Sequence, residues 1–338
     1  MTQYLSNKLT LFYTLLIIMV VYIHSYYLEA EQYPTALFLQ KLTGGGGICR
    51  IANCLFFCIS GYLFARNVHT LREAGLKLKK RIRTLLVPYM LWNVIFVLWY
   101  VALALIPGLS RFNNSAGLLD GFLEVTAWEC LYNLFCAPAA FQLWFLRDLL
   151  VMLAFTPLLW WVAKRHWIIA LVIAYCFTFI YGWLIYYWIG IVLAVTKCDI
   201  ENYPRPKWVL AVGTVVFLGY AVGLAYGFKM PQWTETFVNL LGLYLAWGLY
   251  DVFVKGRCFA DKGIWRYICG YSFFIYCFHE PAFNIIKKLV LVICGTSEPV
   301  LIFFYFINPW IMVAMAVITA RLLQRSMPRA YKILTGGR

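Results

Sequence analysis

The chain returns repeatedly to apolar runs of few charges close to the length a bilayer demands, and sets most of its basic residues between them. A helix needs about 20 apolar residues to cross about 30 Å of hydrocarbon. Such runs fall at about 9–27, 48–65, 85–106, 143–163, 167–181, 183–195, 208–226, 237–254, 265–278 and 299–320. Lipid cannot satisfy backbone N–H and C=O groups, so each run is expected to be helical. The expected fold class is all-α, a polytopic transmembrane helix bundle with about ten crossings. Apolar residues make up 63% of the chain and charged residues 13%. A soluble domain of that composition could not keep a wettable exterior.

The net charge of +15 raises nucleic acid as a partner, but the basic residues lie between apolar runs instead of on one compact patch. Membrane topology accounts for them. With the N-terminus inside, only Lys41, Arg50, Arg111, Arg147, Lys229, Lys287 and Lys288 of the 29 basic residues fall on the outer side. Lys8 and the remainder fall inside, so both termini are expected in the cytoplasm, with the chain multi-pass in the cytoplasmic (inner) membrane. Residues 1–325 read as one transmembrane domain and 326–338 as a short basic cytoplasmic tail. The first apolar run lacks a small-residue cleavage site and reads as a retained helix.

Cys54, Cys58, Cys176, Cys269 and Cys277 lie inside apolar runs, where cysteine behaves as a small hydrophobe. Cys130 and Cys136 are close enough in sequence to pair outside the membrane, though nothing in the spacing demands it. No C-x-x-C occurs and no metal is expected. Two outer stretches are long. The first, 28–47, ends in Gly44-Gly45-Gly46-Gly47, a hinge; the second, 107–141, contains an amphipathic run over 121–135 with Asp120, Glu124 and Glu129, suited to an interfacial helix.

Polar residues inside the apolar runs are the candidates for chemistry, because lipid makes them expensive. His24 lies near the outer end of the first helix, with Tyr13, Ile17 and Val20 on the same stripe below it. Taken alone it suits an imidazole bonded to a neighbouring helix as well as a base. Arg50, Asn53, Ser60 and Asn67 form a polar stripe on the second helix; interhelical glue and the holding of an anionic or hydroxyl-rich substrate are both open. Ser272, Tyr276 and His279 share a face of the ninth helix, with Glu280 and Pro281 at its exit. His24, His279 and Glu280 at one depth would suit a general base with an orienting carboxylate, or equally two unrelated interfacial histidines. Arg147 and Asp148 enter the fourth helix together and suit a structural ion pair. Lys77, Lys79, Lys80, Arg81 and Arg83, ahead of the third helix, satisfy the positive-inside pattern, anionic lipid, or a phosphate ligand equally.

VYIHSYY, FFCISGYLF, KKRIRTLLVPYMLWN, LWFLRDL and YSFFIYCFHEP occur in that order along nearly the whole chain. Together they resemble the acyltransferase 3 family of membrane O-acyltransferases, which move acetyl or related acyl groups from cytoplasmic acyl-CoA onto cell-envelope sugars. The resemblance implies an essential first-helix histidine at His24, a Ser-Gly pair at Ser60 and Gly61, a basic pair at Lys80 and Arg83, the fourth-helix tryptophan at Trp144 and the late histidine at His279. Many members carry Arg or Lys eleven residues before the essential histidine; this chain has Tyr13 there, and Arg50 or Arg147 would then supply charge.

On that resemblance, acetyl-CoA or another acyl-CoA is the donor, with its phosphates on Lys79, Lys80, Arg81 and Arg83. The partners are membrane lipid and an extracytoplasmic glycan or glycolipid acceptor. Arg50, Ser60, Trp144, Arg147, Asp148 and Tyr276 are substrate-side candidates, with Arg147, Arg50 or Tyr276 as oxyanion donors. A transporter or flippase would also carry intramembrane polar stripes, but the sequence has no inverted repeat and no matched interrupted helices. A noncatalytic sensor on the same scaffold is the third class.

Overall fold

The computed structural model describes residues 2–27, 32–105, 140–254 and 262–337, with positions 128, 132 and 136–138. The expected interfacial helix over 121–135 and Cys130 lie outside these residues. Twelve α-helices are described: α1 Gln3–His24, α2 Pro34–Thr43, α3 Ile51–Ala65, α4 Leu71–Leu105, α5 Trp144–Phe177, α6 Leu184–Val195, α7 Lys207–Ala225, α8 Gln232–Phe253, α9 Gly263–Gly270, α10 Ser272–Cys294, α11 Glu298–Ser326 and α12 Pro328–Leu334. The chain is a polytopic helix bundle of a multi-pass membrane protein. Its outer surface is apolar: Leu98 is 62% exposed, Val215 72% and Ile318 59%. Lipid solvates such side chains at no cost.

Seven described segments are long and apolar enough to cross a membrane, against the ten runs counted in the sequence. The difference has physical causes. The runs at 143–163 and 167–181 merge into α5, Trp144–Phe177, which kinks at His166 where φ is −142° and ψ 65°. Helix α6 is apolar but only 12 residues long. The run at 265–278 divides into the short α9 and a longer α10, which extends to Cys294 and carries His279, Glu280, Lys287 and Lys288.

Other expectations shift in the same way. The stretch 28–47 is not a plain loop, because it contains α2, whose first turn is held by Glu298: Thr35 N–H and Ala36 N–H donate to Oε1 at 2.7 and 3.1 Å. The stripe on the second helix is shorter than expected. Arg50 sits in a 3₁₀ turn ahead of α3, and Asn67 lies past its end with φ 59°. Lys8, assigned to an inner segment, is inside α1 and 1% exposed. There Nζ donates to Asp251 Oδ1 at 2.6 Å and to the Trp247 carbonyl at 2.8 Å, above the Trp247 ring. Arg205 and the Tyr4 hydroxyl also reach the Asp251 carboxylate. Residues 326–338, expected as a tail, include α12, which packs on α4 and α11.

The closest crossing joins α3 to α6, and two glycines make it. A Cβ at Gly61 would stand 2.1 Å from the Tyr187 carbonyl oxygen, and one at Gly190 2.0 Å from that of Cys58. Small residues allow this approach between membrane helices. Gly190→Ala is therefore expected to destabilise the protein by about 1–3 kcal/mol through overpacking. Gly219→Ala, where an added Cβ meets nothing within 4 Å, should be neutral. Thermal unfolding of the purified protein in detergent compares the two.

Candidate active site

One end of α1 supplies the first histidine. The stripe Tyr13, Ile17, Val20 runs up one face to His24, the last helical residue. This end is fixed to α11: Ser25 Oγ donates to the Tyr305 carbonyl at 2.8 Å and the Tyr22 hydroxyl to that of Phe306 at 3.1 Å. The second histidine comes from α10. His279 is fully buried, and its ring lies 5.1 Å from that of His24, centroid to centroid. Phe141 sets its edge against His24 from the 3₁₀ turn ahead of α5, 6.0 Å away.

The carboxylate beside His279 in sequence serves the other histidine. His24 Nδ1 lies 3.0 Å from Glu280 Oε1, both side chains 13% exposed. Asn284 Nδ2 donates to the other carboxylate oxygen at 2.8 Å, and Lys287 Nζ to the His24 carbonyl at 2.9 Å. A carboxylate can only accept, so Nδ1 carries the hydrogen, and in the neutral ring Nε2 keeps a lone pair able to take a proton. His279 has its own fixed tautomer. Its Nδ1 lies 2.8 Å from the Tyr276 carbonyl, which again requires the hydrogen there, and its buried Nε2 has no hydrogen-bond partner among the described residues.

The structure therefore brings His24, His279 and Glu280 together. Five of the other nominated side chains are engaged with protein partners. The Tyr276 hydroxyl donates to the Gln142 carbonyl at 2.7 Å, so its proton is already committed. Gln142 answers with Nε2 to the Cys277 carbonyl at 2.9 Å. Arg147 pairs with Asp148, with Nε 2.8 Å and a terminal nitrogen 2.7 Å from Oδ1, and also donates to the Cys136 carbonyl. Arg50 pairs with Glu235 of α8 and donates to the Gly46 carbonyl. Trp144 packs against Trp183, 5.4 Å between rings. These five act as braces, each spent on a protein partner.

Below the histidines lies a cavity of about 380 Å³ between α1, α3, α4, α5, α10 and α12. It follows α1 from Thr10 to Val20, which is about 15 Å of helix. Asn53 and Ser60 line it from α3, and Tyr276 bounds it on α10. At the opposite end it meets Arg81. Of the four nominated phosphate ligands Arg81 alone lines the cavity; Lys79, Lys80 and Arg83 are exposed around the same helix. Lys77 is occupied in capping α3, donating to the carbonyls of Leu63 and Arg66 at 2.9 Å each. Among the described residues no group of three or more His, Cys, Asp or Glu is placed to hold a metal.

Asn284, Lys287 and Gln142 escaped the sequence reading. The first two stand four and seven residues after Glu280, one helical face that becomes visible once α10 is carried beyond 278.

Residues 9–322 match the acyltransferase domain of a known family. The chain belongs to the acyltransferase 3 family. This acyltransferase is 26% identical over 315 residues to the succinoglycan biosynthesis protein ExoH of Rhizobium meliloti (strain 1021), covering 87% of this chain and 81% of that protein. No solved structure matches it.

Tyr276→Phe separates bracing from catalysis in this acyltransferase. Removing a buried donor leaves the Gln142 carbonyl unsatisfied, so a loss of about 1–3 kcal/mol in thermal stability is expected. Turnover measured below the unfolding temperature should stay within about tenfold of the unaltered protein, against the 10²–10³ expected for a lost oxyanion donor.

Proposed function

We propose that this chain is an integral membrane O-acyltransferase that carries an acyl group, acetyl in the simplest case, from acyl-CoA to a hydroxyl of a sugar, glycolipid or polysaccharide on the far side of the membrane. The observation that carries this reading is the cavity lined by Arg81 that runs along α1 to Val20, one helical turn short of the His24–Glu280 pair. The similarity to a succinoglycan biosynthesis protein supports a glycan acceptor. The distribution of Lys and Arg supports a cytoplasmic basic end, both termini inside and an inner-membrane location.

Coenzyme A enters at the basic end. Arg81 at the cavity mouth, with Lys79, Lys80 and Arg83 around it, grips its phosphates. The pantetheine arm follows α1 past Tyr13, Asn53 and Ser60, and the thioester arrives beneath His24. The acceptor hydroxyl approaches from the other side. His24 Nε2 takes its proton as the oxygen attacks the thioester carbonyl. The tetrahedral adduct collapses, the C–S bond breaks, and the imidazolium returns the proton to the leaving thiolate. Acyl ester and free coenzyme A result. Glu280 holds the ring and balances the imidazolium charge, and Asn284 and Lys287 hold Glu280 and the end of α1 in place. His279, with its Nε2 lone pair open, accepts a hydrogen bond from the acceptor sugar and orients it. Arg50, Arg147 and Tyr276, all committed elsewhere, are not assigned to the oxyanion.

Three substitutions test this. His24→Ala is expected to slow acyl transfer by about 10² to 10⁴ without altering membrane insertion. Glu280→Gln, which can keep a hydrogen bond but not the charge, should lower kcat less than His24→Ala does. Arg81→Ala should raise KM for acyl-CoA with kcat nearly unchanged. Transfer of labelled acetyl to envelope glycan in isolated membranes reads all three. Wild-type rates in the His24 variant would remove the catalytic assignment, and glycan uptake by vesicles without acyl-CoA would favour a transporter instead.

A further inference from the structure

The cavity has a wall that no motif nominates. Helix α12 lies beyond the matched residues 9–322, and in sequence it reads as a basic tail. Its buried face is narrow and specific. Tyr331 is 5% exposed and Thr335 1%, and both line the cavity that Arg81 opens. The Tyr331 ring packs against Tyr271 and Phe274, each 6.1 Å between centroids. Arg329 and Lys332 point the other way and are exposed.

Two contacts lock this helix to the element that carries Arg81. The Trp92 indole N–H of α4 donates to the Leu334 carbonyl at 3.1 Å. Just past α12, Gly336 adopts φ 65°, a left-handed conformation that favours glycine, and a Cβ there would stand 2.1 Å from the Thr84 carbonyl oxygen. Thr84 is three residues from Arg81. The segment after α12 is thus seated against α4 about one turn from Arg81.

We infer that α12 is a donor-binding element: Tyr331 and Thr335 close the basic-end wall of the passage and bound the pantetheine arm of an acyl-CoA just beyond its phosphates. This rests on the donor reading above. The arm is a thin chain of amide and methylene groups, and a passage open on one side would leave much of it in water. An aromatic ring against its methylenes supplies the missing apolar contact. The exposed Arg329 and Lys332 add positive charge near the phosphates without entering the passage.

Cys269, which also lines the cavity, provides a reporter that is independent of turnover. The full chain is alkylated with a maleimide, and the rate at Cys269 is read peptide by peptide by mass spectrometry, with and without coenzyme A. Tyr331→Ala is compared with Tyr331→Phe, which keeps the ring. Coenzyme A is expected to protect Cys269 in the unaltered protein and in Tyr331→Phe. In Tyr331→Ala, alkylation should be faster, and about tenfold more coenzyme A should be needed for the same protection. Equal alkylation rates and equal protection in all three proteins would overturn the role of α12 while leaving the donor site standing. Protection in none of them would overturn the donor reading itself. Should Tyr331→Ala fail to fold, Tyr331→Leu, smaller but still apolar, carries the same comparison.

Discussion

A charge held among membrane helices must be paired, and both ends of α1 obey that constraint. At one end Lys8 is buried against Asp251, which Arg205 and Tyr4 also reach; at the other His24 meets Glu280. Removing one member of such a pair strands the other, so neither end of α1 can shift without a large cost. The stripe between them, Tyr13 to Val20, forms one wall of the cavity and is held at a set depth and rotation. The position of His24 is thus decided by contacts about four helical turns away at Lys8 as much as by those beside it.

The same economy explains why so few of the polar side chains near the site are free. Arg147 with Asp148, Arg50 with Glu235, and Tyr276 with Gln142 are closed pairs between elements. What is left open is small: the lone pair implied on His24 Nε2, the unpartnered Nε2 of His279, and Arg81 at the far end of the cavity. These open groups lie along one line, and the strong donors flanking the histidines, Arg147 and Tyr276, are held by protein partners.

Much of this architecture is legible in the sequence. The apolar runs place the helices, and the polar interruptions single out His24, His279 and Glu280. What the sequence hides is which residue meets which. Glu280 neighbours His279 along the chain but serves His24, because successive residues on a helix point about 100° apart and α10 turns its carboxylate toward α1. Arg50 reads as a substrate ligand until α8 brings Glu235 to it. The kink at His166 and the extension of α10 beyond 278 are equally hidden, since hydropathy records where apolar residues lie and not where a helix bends or continues through charged positions. Lys8 misleads for a related reason: its burial depends on an acceptor 243 residues away.

The departure at Tyr13 finds its sense in the cavity. A basic residue at that depth would set a charge midway along the passage. Here a phenol occupies the place, its ring 5.6 Å from that of Phe56, between Thr10 and Ile17 on a wall that is otherwise apolar on α1. On the proposed reading, the charged part of the donor has no partner at this level and must stop at the mouth, where Arg81 stands with α12 beside it. The part that continues past Tyr13 is the neutral arm and its thioester. Binding charge at one end and performing chemistry at the other separates affinity from catalysis along a single axis. On that reading the phosphates need no partner at position 13, because Arg81 of α4 meets them at the mouth and Tyr331 of α12 bounds the arm beyond them.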